Sequence, residues 1–383
     1  MSDGKFAVIR SEGNRYQRDD GRWLLDFSSG GFGNGNFELR QAIARQTGLL
    51  CLSSRNFFNE NLALFCTAIV DRLPEHRSVF PCNSFDEALD GALKLAKGAR
   101  PGRGGVVVVG PAPRSRTFYG ARLDQNLAGQ SWNRLGFTVD HAAWDDLAAL
   151  RQSVTPDTYA VVASRSAGVG PSPDDAAALR QACDAAGAVL IANEEETGLG
   201  ALGSLTSLDA IEPDVFVFGA SLGGIVPFAT YAARKSLNDR VYKHRDPVLH
   251  ATTTGGNPIG CVAARTVLEQ IDKHDLYSAA KRIGDQFGAL LHQIANLGGQ
   301  SGVSAVTGSH LAWEIQFESR EAAAALAASA LDRGLLFQGP DCFGAAVLRI
   351  RIPLTLRDEE FATGLAILGE LVAARSDRVA ADA

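Results

Sequence analysis

Short, wholly apolar runs alternate along this chain with longer stretches in which apolar residues recur at helical spacing. Val106–Gly110, Ala160–Ser164, Ala188–Ala192 and Val215–Phe218 are rich in Val, Ile and Phe and end in small or turn residues. Strands buried on both faces of a parallel sheet have this pattern. Ala229–Arg234 and Val347–Ile352 read as further strands. Helical periodicity predicts helices at Leu39–Gly48, Glu60–Leu73, Asp174–Ala186, Leu276–Leu297 and Arg320–Gly334. Another begins near Asp86, with Leu89, Leu93 and Ala96 on one face, and Pro258 opens one that runs to about Ile271. A last helix aligns Phe361, Leu365, Leu368 and Val372, with Thr355 ahead of the acidic Asp358 and Glu359. Residues 5–29 differ: Asp20-Gly21 is a hairpin signal between Arg15–Arg18 and Trp23–Phe27, which predicts a small β-meander.

Strands alternating with helices point to an α/β protein with a mainly parallel sheet. With 383 residues the chain can bury a large core, and 46% hydrophobic against 21% charged residues excludes a disordered class. The net charge of −6 comes without a long basic block, so nucleic acid is not an expected partner. No apolar run is long enough to span a membrane, and Met1–Phe6 lacks a basic-then-apolar signal, so the expected location is cytoplasmic. Cys51, Cys66, Cys82, Cys183, Cys261 and Cys342 are scattered without C-x-x-C spacing, which reads as reduced thiols and no metal site.

The densest motif run is Ala188–Pro227. Its two strands end in Asn193-Glu194-Glu195-Glu196 and Gly219-Ala220-Ser221, at the edge where open α/β sheets carry their sites. Glu194, Thr197-Gly198, Gly200, Gly203, Pro213-Asp214, Gly219, Leu222-Gly223-Gly224 and Pro227 resemble the core of class III aminotransferases, pyridoxal-phosphate (PLP) enzymes of fold type I. His250–Pro258 is similar to that family's H-x-S-T-F-G-G-N-P, and Leu348–Leu354 to its L-R-x-x-P-P-L. The resemblance implies a fold-type I aminotransferase-like α/β protein with a mainly parallel, seven-stranded-type sheet. The large domain would span residues 41–273, and a small α+β domain would combine residues 1–40 and 274–383. It also implies a homodimer, with Thr253 reaching the phosphate of the partner subunit's cofactor and Arg349 holding a substrate carboxylate.

At the positions that carry the family's cofactor chemistry the chain departs from the pattern. Ala220 stands where the family has its Schiff-base lysine, and Asn193 where an aspartate faces the pyridine nitrogen. Phe85-Asp86 replaces the Gly-Thr pair that grips phosphate, Pro113 the stacking aromatic ring, and Glu195 the valine beneath it. Asp86 would repel a phosphate by about 4 kcal/mol at ~4 Å and a protein-like dielectric. Alternatively it caps its own helix. The expectation is that no cofactor is bound, PLP included.

Glu195 and Asp86 are then the candidate acid–base pair, since buried carboxyls have pKa values suited to proton transfer. Glu196 should face away from Glu195 if strand geometry persists. Arg349, Arg114, Arg116 and Thr253 are the substrate-binding candidates, although Arg114 and Arg116 read equally as surface-loop residues. Ser29-Gly30-Gly31-Phe32-Gly33 is loop and entrance geometry rather than a phosphate cradle.

Three functional readings stay open. One is a cofactor-independent biosynthetic enzyme that isomerises, eliminates, cyclises or condenses an amino- or carboxylate-bearing small molecule. The second is a silent homologue supporting an active enzyme as a heteromeric partner. The third is a non-covalent binder of a PLP- or pyridoxamine-like ligand.

Overall fold

The computed structural model describes residues 6–53, 57–75, 77–124, 136–243, 250–296, 302–340 and 346–381. The chain divides into two compact units. One holds residues 1–38, 199–204 and 270–383, and the other residues 39–198 and 205–269. Strands of the first unit are β1 (Val8–Glu12), β2 (Arg15–Arg18), β3 (Trp23–Asp26), β11 (Val303–Ser309), β12 (Ala312–Phe317), β13 (Leu335–Leu336) and β14 (Val347–Arg351). Those of the second are β4 (Arg77–Cys82), β5 (Gly105–Val109), β6 (Thr138–Ala142), β7 (Thr158–Ser164), β8 (Val189–Asn193), β9 (Val215–Phe218) and β10 (Ala229–Arg234).

The second unit's strands form one seven-stranded sheet in the order β4-β10-β9-β8-β7-β5-β6. Only β10 runs against its neighbours; β9, β8, β7, β5 and β6 are parallel. Every residue of β5, β7, β8 and β9 is buried, as the unbroken apolar runs require of strands covered on both faces. Strand β4 lies at the sheet's edge, where Pro81 costs no ladder hydrogen bond.

Four helices of this unit matter for the site: α1 (Phe37–Leu49, which starts in the first unit), α2 (Glu60–Val70), α3 (Phe85–Ala99) and, after the sheet, Lys235–Tyr242. Helix α3 lays Ala88, Leu89, Ala92, Leu93, Leu95 and Ala96 on the sheet against Val106, Val108, Tyr159, Val162, Ile191 and Val217. Each leucine buried this way contributes about 1.5–3 kcal/mol. The cap of α3 is Ser84, whose side chain accepts from Glu87 N at 3.2 Å. The capping role anticipated for Asp86 is therefore corrected: Asp86 lies inside the first turn.

The helix predicted over Asp174–Ala186 runs from Pro173 to Ala186. Its capping box pairs Ser172 with Asp175, and Gly187 ends it at a φ of 64°.

In the first unit the meander forms as its turn signal predicts, and β13 joins β3 in parallel. A second sheet has the order β11-β12-β14. The two ends of the chain meet at Glu360, which is fully buried. It accepts from Asn14 N at 2.7 Å, Asn14 Nδ2 at 2.9 Å, Arg357 N at 3.0 Å and Arg357 Nη2 at 2.9 Å. Burial pushes this carboxyl's pKa up, but the bonds from Arg357 and Asn14 outweigh it and hold the group below its ordinary value. Among the described residues, Cys51, Cys66, Cys82, Cys183 and Cys261 are free; Cys342 lies outside them. No described helix is long and apolar enough to cross a membrane.

Candidate active site

The carboxyl ends of β7, β8 and β9 converge in the second unit. Asn193 closes β8. Its Nδ2 donates to Ser164 Oγ at 3.0 Å and its Oδ1 accepts from Glu195 N at 3.1 Å, so both ends of the amide serve the local backbone frame. Glu194 turns inward and is buried, accepting from Ser207 N and Leu208 N at 2.9 Å and from Ser207 Oγ at 2.6 Å. Burial still raises its pKa to about 7 against the pull of those bonds.

Glu195 faces the other way, into the end of β9. A Cβ on Gly219 would sit 2.8 Å from Glu195 Cγ, so only glycine lets the two segments approach this closely. Glu195 Oε2 is buried and has no hydrogen-bond partner. Burial, reinforced by Glu196 and Asp86 and opposed by Arg114, raises the Glu195 pKa to about 8, so the acid keeps its proton at neutral pH.

Strand geometry stops at Asn193, and residues 195–200 form turns. Glu196 therefore does not take the opposite-face position expected for a strand. It pairs with Arg114, and the Coulombic influence of both reaches Glu195. Asp86, in the first turn of α3, accepts from Ser115 Oγ. Ala220 follows Gly219 in a short 3-10 turn and is exposed; it carries no amine, so no imine can form there. Phe85 is buried in the core beneath α3, and Pro113 is buried beside Arg114.

Of the proposed site residues, Asp86, Glu195 and Arg114 are thus brought within electrostatic reach of one another. Arg116 is about half exposed and pairs with Asp124 at 3.3 Å, so it fits the surface-loop alternative. Arg349 belongs to the first unit, where its Nε donates to Glu314 Oε1 at 3.1 Å, an oxygen shared with Arg351 Nη2 at 3.2 Å.

Thr253 is exposed at the crest of a strap tied down on either side. Asn83 Nδ2 donates to Thr252 Oγ1 at 3.4 Å, and Thr254 Oγ1 donates to Asn83 Oδ1 at 2.6 Å. Sequence reasoning missed Ser115, Asn83 and the Ser164–Asn193 bond, because each acts across segments far apart in the chain. Among the described residues, no group of His, Cys, Asp and Glu could hold a metal ion.

Residues 117–372 match the family model described as aminotransferase class-III. The chain belongs to that family. It is 31% identical to the acetylornithine aminotransferase of Pseudomonas putida over 309 residues, covering 76% of this chain and 75% of that one. It is 28% identical to the succinylornithine transaminase of Salmonella choleraesuis over 376 residues, covering 94% and 90%. Among solved structures it resembles an ornithine aminotransferase from Toxoplasma gondii, crystallised in the presence of oxidized glutathione. That likeness has a TM-score of 0.85 and 24% identity, over 98% of this chain and 92% of that one.

For this class III family member the fold-type I expectation holds. The expectation of no cofactor does not. The relatives are aminotransferases, and the T. gondii structure has PLP in partial occupancy at its active site. These findings point to PLP instead.

Proposed function

We propose that this class III family member is an enzyme acting on a small amino- or carboxylate-bearing molecule by proton transfer at Glu195, with PLP held without an imine to residue 220. One observation carries the reading. A buried carboxyl with an unpartnered oxygen, its pKa raised to about 8 first by burial, stands beside Gly219-Ala220, at the carboxyl edge of the sheet. Such a group can donate a proton at neutral pH and take it back, which is what general acid–base catalysis needs.

Tested against PLP, the residues do not fit the family's covalent hold. Ala220 offers no amine, and Asp86 sets a carboxylate in the first turn of α3, where the family grips phosphate. The loss of that anchor is part of the proposal. Burial first, and then Glu196, keep the proton on Glu195; Asp86, hydrogen-bonded to Ser115, adds a smaller push in the same direction. Arg114 and Thr253 remain the groups of the second unit proposed to hold substrate, with Arg116 the weakest of them; Arg349, in the first unit, stays a candidate from the family resemblance alone. The relatives' substrates suggest an ornithine-like amino acid as the first class to try.

The chain is further proposed to form a homodimer through the exposed apolar stretch at the end of α1 and the start of α2. Tied to the strap, that stretch would bring Thr253 to the partner subunit.

The test incubates the purified protein with PLP and a panel of amino acids that includes ornithine, acetylornithine and succinylornithine, and follows products by mass spectrometry. Turnover of a panel member is expected in the unaltered chain, without an internal-aldimine absorbance band. Ala220→Lys alone should not produce transamination. Full turnover in a variant carrying both Glu195→Gln and Asp86→Asn would show that the chemistry lies elsewhere. A silent homologue would turn over nothing in the panel, with or without either change.

A further inference from the structure

At the amino edge of the seven-stranded sheet, the edge opposite Glu195, the turns leading into β4 and β9 border a cavity of about 560 Å³. Pro74, Glu75, Arg77, Asp209, Glu212 and Arg234 line it, all of them in the second unit. Its volume is that of a small-molecule site.

Strand register brings the two arginines together. Arg77 opens β4, Arg234 closes β10, and the two face each other in the antiparallel pair. Arg77 is buried, with its guanidinium 4.6 Å from the centroid of the Phe216 ring. It laces the turns to each other: Nε donates to Pro74 O at 2.9 Å, Nη2 to Pro213 O at 3.0 Å and Nη1 to Asp214 O at 3.2 Å. Three of its five N–H groups are thereby used and two are left. Arg234 Nη2 donates to Glu212 O at 3.2 Å, and its Nε lies 3.3 Å from Glu75 Oε2. Burial first, and then Arg234, lower the Arg77 pKa to about 10, with Glu75, Asp214 and Asp209 only partly offsetting them.

The acidic side of the cavity is held under strain. Glu75 at a φ of 64° and Glu212 at 49° are two of the five described non-glycine residues in the left-handed region. Such conformations persist where the surroundings fix them, commonly at ligand clamps. Glu75 is paired with Arg234, and Asp209 accepts from Thr206 Oγ1 at 2.5 Å. Glu212 is exposed. Among the described residues its carboxylate has no hydrogen-bond or ion-pair partner, and Arg234 Nη1 donates no hydrogen bond.

We propose that this cavity is a second ligand site, which binds a free basic α-amino acid with its carboxylate on Arg234 and Arg77 and its ammonium on Glu212. A simple anion there would meet Glu75, Asp209 and Glu212, and a simple cation would meet Arg77 and Arg234. A zwitterion sets each of its charges against the opposite one. The lining has three carboxylates against two guanidinium groups, a net charge of −1, so the matching amino acid has a net charge of +1. Its side-chain cation then falls to Glu75 or Asp209. The site lies at the far end of β8 and β9 from Glu195 and does not depend on the chemistry proposed there.

The test is calorimetric titration of the unaltered protein with L-arginine, with agmatine, which lacks the carboxylate, and with Nα-acetylarginine, which lacks the ammonium. L-Arginine should bind at least about tenfold more tightly than either analogue. Glu212→Gln should weaken L-arginine by about tenfold or more, since it removes the ammonium's charge partner at an exposed position. Glu195→Gln should leave the affinity unchanged. No binding of L-arginine at millimolar concentration would overturn the proposal, and so would agmatine binding as tightly. Affinity lost in Glu195→Gln but kept in Glu212→Gln would move the amino acid to the carboxyl edge and refute a second site.

Discussion

A carboxyl surrounded by protein and facing two other carboxylates releases its proton at a higher pH than the same group in an unfolded chain. Glu195 is in that position, raised to about 8 by burial, Glu196 and Asp86, with Arg114 only partly offsetting them. The linkage has a definite sign. Between the unfolded value near 4.5 and about 8, the folded state holds the proton and the unfolded state does not. Stability from this group is therefore complete below the lower value and is lost as pH rises through the higher one, with a slope of up to about 1.4 kcal/mol per pH unit. Glu195→Gln should flatten the fall in urea-unfolding stability between pH 5 and 8, while leaving the fold intact. An unchanged slope in that variant would mean the carboxyl is not buried as described.

At the scale of the element, α3 joins the core to the site. Its cap is a residue whose signal was present in the chain: Ser84 and Glu87 have the S-x-x-E spacing of a capping box. The reciprocal half is displaced by one position, since Glu87 Oε2 accepts from Asn83 N at 2.8 Å rather than from the cap residue. Replacing Ser84 by Ala should cost about 1 kcal/mol in urea unfolding, a loss that Ser84→Asp should largely restore. No loss in Ser84→Ala would return the capping role to Asp86.

The helices and central strands were legible because their apolar periodicity is local. Val215–Phe218 and Ala229–Arg234 came out with the bounds read from the sequence. Strand β4 was not, because Pro81 and the neighbouring polar residues mask an edge strand whose pairing partner lies some 150 positions away. Arg349 shows the same limit among the candidate residues. Its register partner across β12 is Glu314, a contact that motif matching cannot see.

At the scale of the whole molecule, the apolar surface left uncovered on the larger unit calls for a partner. Leu49 is 80% exposed, Phe57 73% and Phe58 83%, with Leu50 and Leu52 also exposed in the same stretch of chain. Single exposed apolar residues need no explanation, but a run of this kind marks a candidate interaction face. The face is continuous with the strap: Asn59 Nδ2 donates to Gly256 O at 3.1 Å, and Leu62 lies against Gly256. A second copy of the chain is the occupant that would use both features, since docking there would cover the phenylalanines and carry Thr253 to its neighbour. Buried aromatic anchors typically contribute ~2 kcal/mol or more each to such an interface. Phe57→Ser together with Phe58→Ser should therefore weaken self-association by about 1,000-fold. Sedimentation should find a dimer for the unaltered chain at micromolar concentration and a monomer for the double variant, with unchanged helical content in both. A monomer in the unaltered chain at that concentration would refute the interface, and with it the assignment of Thr253 to a shared site.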